Sequence, residues 1–439
     1  LHLLSRRQRQ MCIRDRLNIK QLNKVHHIFC TTFNQYYHIF RTTFTLLHHI
    51  FRTTFTIFTS IGLAFPSAAE LRFFTLRSSL FTFIWFFRSF ALSLNKISCT
   101  RKNIQVNLMI FRSFALSLQQ KPYIMKKTYR ITLAVIALFI FATIGGSVYM
   151  LNFSLSPDPN RTDLDSTYAI LYKRFPDMKP WVDSMQTNGY LRDTFLTMPT
   201  RERHHALYFR ADSAKGRTAV LVHGYKDCAA KFLYLGRMYN RDLGYNVVMP
   251  DLHAHGLSEG NDIQMGWKDR LDIKRWTEMA AETFRDSTYG VNIVVHGVSM
   301  GAATTMSLSG EELPAYVTHF IEDCGYTSAW DEFAVQLKDQ FSLPQFPLMY
   351  TTSLLCRMVH GWSFGECSPI KQVAKCQRPM FFIHGDADDF VPFYMMQQVY
   401  DAKTHGKKAM WVTKGTTHAR SYADYPKEYT ERVRQFLAE

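Results

Sequence analysis

Val291–Thr305 reads VNIVVHGVSMGAATT. A β-branched, apolar run leads straight into G-x-S-x-G at Gly297, Ser299 and Gly301, and small residues (Gly301, Ala302, Ala303) lead straight out. The five-residue pattern by itself is common. The context is what makes it informative: a strand that turns sharply into a helix needs small neighbours so that the two can approach. A serine at such a turn is held in a strained, exposed position at the positive end of the helix. The blander reading is an ordinary strand-to-helix turn that happens to contain a serine.

The surroundings favour the first reading. Apolar runs that suit strands recur at Leu207–Ala211, Thr218–His223, Asn246–Pro250, Val291–His296, Val317–Glu322, Met380–His384 and Ala409–Thr413, separated by helix-like stretches. Alternating β and α segments predict a mostly parallel sheet, and continuous runs such as AVLV and NIVV fit strands buried on both faces. A serine becomes a nucleophile only when a base takes its proton and an acid orients that base. Each partner is expected just past a later strand. RPMFFIHGDADDFVP (Arg378–Pro392) offers Asp386, Asp388 and Asp389, and KAMWVTKGTTHARSY (Lys408–Tyr422) offers His418. An oxyanion formed at this serine needs two fixed N–H donors. The amide of Met300, next after the serine, is one candidate. The amide of Tyr225 in TAVLVHGYKDC (Thr218–Cys228) is the other, with Gly224 letting the backbone come close.

These segments resemble the α/β-hydrolases of the serine aminopeptidase-like and esterase/lipase-like branch. The resemblance covers about Thr162–Glu439 and rests on HGYKD (His223–Asp227), PDLHAHGLSEG (Pro250–Gly260), GVSMG (Gly297–Gly301), HGDADDFVP (His384–Pro392) and GTTHARS (Gly415–Ser421). It implies an α/β-hydrolase fold with a mostly parallel central sheet, flanking helices and an inserted helical cap. It also implies a triad of Ser299, Asp388 and His418, because the HG-x-x-D-x-x-VP pattern puts the acid at Asp388. Some relatives carry the acid one strand earlier, where Glu322 and Asp323 stand. The family's usual Arg-Gly-His-Gly is His253-Ala254-His255-Gly256 here, a change that touches no triad position. His253 and His255 alone are too few ligands for a metal, so neither metal nor cofactor is expected.

About 55 residues separate the strands near Glu322 and Met380, far more than a strand-to-helix connection needs. We therefore expect a cap at about 326–376, rich in Trp, Phe, Tyr, Leu and Met. It suits a small-molecule or short-peptide substrate with an apolar group, although most of those side chains are expected to pack the cap on the core. Cys356 and Cys367 are candidates for a disulfide within the cap if the domain is exported.

Upstream, Lys126, Lys127 and Arg130 precede an uncharged run from Ile131 to Leu151, long enough to cross a bilayer. Residues 125–151 are expected to be a signal anchor, with the following domain extracytoplasmic. Cleavage at Gly145–Ser147, giving a secreted protein, is the alternative. Residues 152–161, with Pro157 and Pro159, read as a linker to a hydrolase domain at 162–439.

The chain holds 52 Lys+Arg and 36 Asp+Glu, a net charge of +16 that invites a nucleic-acid partner. Residues 1–124 carry 17 and 2 of these, and the other 315 residues carry 35 and 34, so the folded part is nearly neutral and no nucleic acid is expected. The first 124 residues repeat HIFCTTF (His27–Phe33) as HIFRTTF (His38–Phe44 and His49–Phe55), and FRSFALSL (Phe87–Leu94) again at Phe111–Leu118. They are expected to be spurious translation or a disordered extension, to be set aside in fold reasoning. The sequence reading thus favours a serine esterase or thioesterase, with a peptidase second and a non-catalytic binding protein on the same fold third. Transfer of the acyl group to an acceptor other than water is a further option.

Overall fold

The structure is a computed structural model and describes residues 127–438, with side chains from residue 132. The expectations about residues 1–124 lie outside the described residues. The helices are α1 (Lys127–Leu155), α2 (Leu164–Arg174), α3 (Met178–Thr187), α4 (Leu233–Arg237), α5 (Asp269–Phe284) and α6 (Met300–Ser309). They continue with α7 (Ala329–Phe341), α8 (Leu348–His360), α9 (Pro369–Val373), α10 (Tyr394–Ala402), α11 (Ser421–Asp424) and α12 (Pro426–Ala438). The strands are β1 (Arg192–Thr197), β2 (Arg203–Phe209), β3 (Arg217–Val222), β4 (Asn246–Pro250), β5 (Asn292–Val298), β6 (Val317–Asp323), β7 (Met380–Gly385) and β8 (Lys408–Thr413).

They form one eight-stranded sheet in the order β1-β2-β4-β3-β5-β6-β7-β8. Strand β2 runs antiparallel to both β1 and β4, and all the other pairings are parallel. This is the α/β-hydrolase fold. Alternation along each strand feeds two cores. In β3, Val220 and Val222 join one layer with Trp276 and Phe284 of α5 and Met306 of α6. Ala219 and Leu221 join the other layer with Tyr429, Val433 and Phe436 of α12. A strand packed on both faces has no polar side, which is why these runs carry no alternation. The edge strand β1 was not expected from sequence. Its RDTFLT is exposed or half-exposed throughout, so it lacks an apolar run.

Two boundaries differ from the sequence reading: β2 spans Arg203–Phe209 rather than Leu207–Ala211, because the polar Arg203-His204-His205 hides its start, and the first helix ends later than expected. The first helix does not stop at Leu151 but continues to Leu155, through the first four residues of the expected linker. Its end is docked: Ser147, Leu151 and Leu155 are buried, whereas Phe139, Ile140, Phe141 and Ile144 are exposed. The Ser147 hydroxyl meets that of Thr351 at 2.6 Å, and Phe153 meets Phe341 edge-on at 5.4 Å. The cap between β6 and β7 consists of α7, α8 and α9, and α1 packs along α8. Helix α7 opens on Ser328, whose hydroxyl accepts from the Asp331 amide, the usual way a free N-terminal N–H is satisfied. Cys356 and Cys367 are free thiols rather than a disulfide, and the Cys367 thiol is turned to the Met265 carbonyl at 3.0 Å.

Candidate active site

Ser299 stands between β5 and α6 with φ 58° and ψ −121°, a conformation that L-residues rarely adopt. The glycines on either side make the turn possible. A Cβ on Gly297 would lie 2.0 Å from the Gly301 carbonyl oxygen, and one on Gly301 would lie 2.0 Å from that of Val222. Strand β5 and helix α6 therefore meet at backbone contact distance, as the small residues of GVSMGAA predict.

The structure brings the three residues of the expected triad together. Ser299 Oγ lies 2.7 Å from His418 Nε2, and His418 Nδ1 lies 2.8 Å from Asp388 Oδ2. His418 follows β8 and Asp388 follows β7, so adjacent parallel strands deliver both at the same sheet edge. The turn after β7 fixes Asp388, whose Oδ1 accepts from the amides of Phe390 and Val391 at 3.0 Å each. Burial acts to raise the Asp388 carboxyl, but hydrogen bonds with His384 and His418 outweigh it and hold it at about 2. Asp388 is thus an anion at neutral pH, suited to orienting an imidazole. Phe390 lies over the His418 ring at 4.9 Å between centroids.

The competing carboxylates are engaged elsewhere. Asp386 accepts from the Gly415 amide at 2.6 Å and from Lys414 at 3.1 Å, tying the β7 and β8 loops together. Asp389 is exposed. Asp323 accepts from Ser421 and Tyr429, and Glu322 accepts from the Gly325 amide. Among the described residues, none of these four hydrogen-bonds His418.

Gly224 lies against the serine, since a Cβ there would be 3.4 Å from Ser299 Cβ and 3.9 Å from its Oγ. The Gly224 carbonyl accepts from His223 Nδ1 at 2.8 Å and from the Asp227 amide. In a trans peptide the N–H points opposite to the C=O, so these two bonds aim the Tyr225 N–H the other way. Among the described residues neither the Tyr225 nor the Met300 amide meets an acceptor. His223 was missed as a positioning residue by sequence reading; its Nε2 also accepts from the Leu252 amide.

The Tyr225 side chain reaches in the opposite direction. Its hydroxyl donates to the Ser154 carbonyl in the last turn of α1 at 2.8 Å, and the Ile263 amide donates to the Leu155 carbonyl. The site thereby satisfies the unpaired carbonyls of the helix end. Between α1 and the cap lies an apolar pocket lined by Met150, Phe153, Phe333, Leu337, Phe341 and Phe364, with Ser154 at its edge. No signal in the sequence placed the end of α1 beside the candidate site.

One cap residue is set for a pH effect. Glu332 on α7 is 3% exposed, one carboxyl oxygen is unpartnered, and burial pushes its carboxyl up to about 8. Because the folded value is raised, its contribution is intact below the ordinary value near 4.3 and is lost as pH rises to about 8. E332Q, which cannot ionise, is expected to melt like the wild type at pH 5 and a few degrees higher at pH 8. Equal melting temperatures at both pH values would show that Glu332 ionises freely in the folded protein.

No family model matches the chain. The chain is similar to the uncharacterized protein YqkD of Bacillus subtilis, at 28% identity over 197 residues, 45% of this chain and 63% of that protein. Among solved structures it is similar to the Pyrococcus furiosus esterase Pf2001, at 22% identity and a TM-score of 0.47, covering 58% of this chain and 94% of that one. It is also similar to the Pyrococcus horikoshii acylaminoacyl peptidase, at 16% identity and a TM-score of 0.41, covering 56% and 40%. The fold assignment rests on the sheet order and the Ser299 turn.

Proposed function

We propose that the protein is a membrane-anchored serine hydrolase that cleaves a carboxylic ester or thioester through an acyl-enzyme. The observation that carries this reading is the continuous hydrogen-bonded chain Ser299–His418–Asp388, with the serine in a strained turn beside two free amides. In this mechanism Ser299 Oγ attacks the carbonyl carbon as His418 Nε2 takes its proton. The Asp388 carboxylate holds the Nδ1 proton of the resulting imidazolium. The Tyr225 and Met300 amides bind the oxyanion, and the α6 N-terminus adds its positive end. His418 then gives its proton to the departing oxygen or sulfur. A water molecule, deprotonated by the same nitrogen, releases the acid and regenerates the serine.

A fluorophosphonate probe tests the class. Labelling of the wild type and not of S299A supports it; a wild type that does not label points to a binding protein on this fold. Release from p-nitrophenyl esters of graded chain length, beside aminoacyl anilides, separates esterase from peptidase. The peptidase reading asks for an anionic group to hold a substrate amine. Cleavage of the anilides would show that such a group is in place.

The substrate is proposed to reach the site from the bilayer. The apolar stretch of α1 runs from Thr132 to Leu155, and from Ser147 onward its inner face is occupied by the cap. The 14 residues from Thr132 to Gly145 span ~21 Å at 1.5 Å each, short of the ~30 Å of a hydrocarbon core. An anchored domain must therefore seat its cap in the interface. Helix α8, which α1 packs along, presents an outward row, Tyr350, Leu354 and Met358, which Phe346 just before the helix extends; the four are 57%, 46%, 53% and 72% exposed. Basic Lys126, Lys127 and Arg130, before and within the first turn of α1, favour a cytoplasmic start and a catalytic domain outside. Introducing Y350E and L354E together is expected to lower hydrolysis of esters dissolved in vesicles about tenfold, while a short water-soluble ester is cleaved at the wild-type rate. Equal losses on both substrates would argue for a defect in the site itself.

A further inference from the structure

We infer that Glu202, His204 and His253 form a binding site for a divalent transition ion of the zinc type, separate from the catalytic serine. Glu202 ends the β1–β2 turn, His204 lies on β2, and His253 lies on the loop after β4. One ligand atom from each falls within 4.8 Å of the others.

The arrangement of ring nitrogens is what points to an ion. His253 Nδ1 lies 2.8 Å from the Asp262 carbonyl, which only accepts, so Nδ1 carries the proton. Its Nε2 faces Glu202 Oε1, another acceptor, at 3.2 Å, a position where either a proton or a cation is held between the two. His204 is 1% exposed and neither ring nitrogen has a hydrogen-bond partner. Its Nδ1 faces Asp272 Oδ2 at 3.4 Å, and its Nε2 faces Glu202 Oε2 at 4.0 Å. Two imidazoles and one carboxylate thus converge; Glu202 Oε2 also accepts from the Thr200 hydroxyl at 2.9 Å, while the buried His204 ring is left without a hydrogen bond. Behind each imidazole stands an oxygen at Nδ1, the backing that orients metal-bound histidines.

Charge agrees with this. Among the described residues no Lys or Arg pairs with Glu202, Asp269 or Asp272, and Asp269 keeps one buried carboxyl oxygen unpartnered. Two nitrogens and one carboxylate match zinc-type preference, with the fourth position left to solvent. Ligand atoms of a tetrahedral site lie ~3.4 Å apart, so closing the site asks about 1 Å of side-chain movement. The Glu202 side chain, 33% exposed, has the freedom to supply it and gives the ion a way in.

His255, two residues along, does not share the site: its Nε2 accepts from the Lys226 amide. That bond ties the His253 loop to the Gly224–Asp227 turn carrying the Tyr225 amide. The ion would clamp this loop to β2 and the β1–β2 turn, making it a structural brace beside the oxyanion donors.

The test uses the full chain in detergent, with an affinity tag other than polyhistidine. After treatment with a chelator it is dialysed against Zn2+, desalted and analysed for metal by mass spectrometry. We expect one zinc per chain and a melting temperature raised on the order of 5–10 °C by the ion. H418A should retain both, which excludes the Cys324–Asp388–His418 group as the site. E202Q and H204A should lose the metal and the thermal shift. E202Q is nearly isosteric at a partly exposed position, so it carries the test even if H204A does not fold. The inference is overturned by wild type that holds less than a tenth of an equivalent, or by E202Q that binds zinc and shifts as the wild type does.

Discussion

S299A is expected to lower kcat toward an activated ester about 10⁶-fold, the loss that follows removal of a serine nucleophile whose triad acts as a unit. The variant should fold normally. The Ser299 hydroxyl bonds His418 alone among the described residues, so deleting it strands no buried partner that water cannot reach: the His418 side chain is 20% exposed. Alanine inherits the same φ of 58°, so the turn keeps its strain and the melting temperature should stay within a few degrees. The pairing of lost turnover with unchanged melting is the diagnostic result. D388N should lose less, about 10⁴-fold, because the nucleophile and oxyanion donors remain while the imidazole is held in the wrong tautomer. S299A that keeps more than a tenth of the wild-type rate would move the chemistry away from this serine.

G301A is expected to cost more than ~4 kcal/mol of stability, placing it among the rare severe substitutions. A Cβ at Gly301 would sit 2.0 Å from the Val222 oxygen and 2.6 Å from the His223 oxygen. Both are backbone atoms, one the last of β3 and the other the next residue, and neither can rotate away. Helix α6 would have to lift off β3, opening the layer that holds Met300, Ala303 and Met306. Val222 and His223 lead directly to Gly224 and Tyr225, so the same displacement spoils the oxyanion donors. Melting should fall by ~10 °C or more, and most of the protein should be recovered aggregated. Gly145 supplies the contrast, since a Cβ there meets nothing within 4 Å. G145A should be neutral or slightly stabilising, as alanine favours the helix by about 1 kcal/mol. A G301A protein that melts within 2 °C of the wild type would mean that strand and helix are not in backbone contact at this turn.

Sequence alone determined what local chemistry and spacing dictate. Six of the strands are apolar runs, most of them because a strand covered on both faces has no solvated side; β2 was legible only in its second half, since it starts on Arg203-His204-His205, and β1 escaped notice because an edge strand with Arg192, Asp193 and exposed side chains lacks that signature. The Ser299 turn was legible because only glycine and alanine permit it, and a 55-residue gap announced the cap. The choice among Asp386, Asp388 and Asp389 was carried by resemblance, since neighbours on one short loop differ in role only through where the loop points them. Tertiary structure decided the rest. Hydropathy states that α1 is long and apolar enough to span a bilayer, but nothing in it tells that Ser147, Leu151 and Leu155 are spent on the cap and that Ser154 meets Tyr225. Likewise Glu202, His204 and His253 converge across 51 residues of chain. A lone histidine in a sequence carries no record of which carboxylate faces it, because that is fixed by strand pairing and loop path.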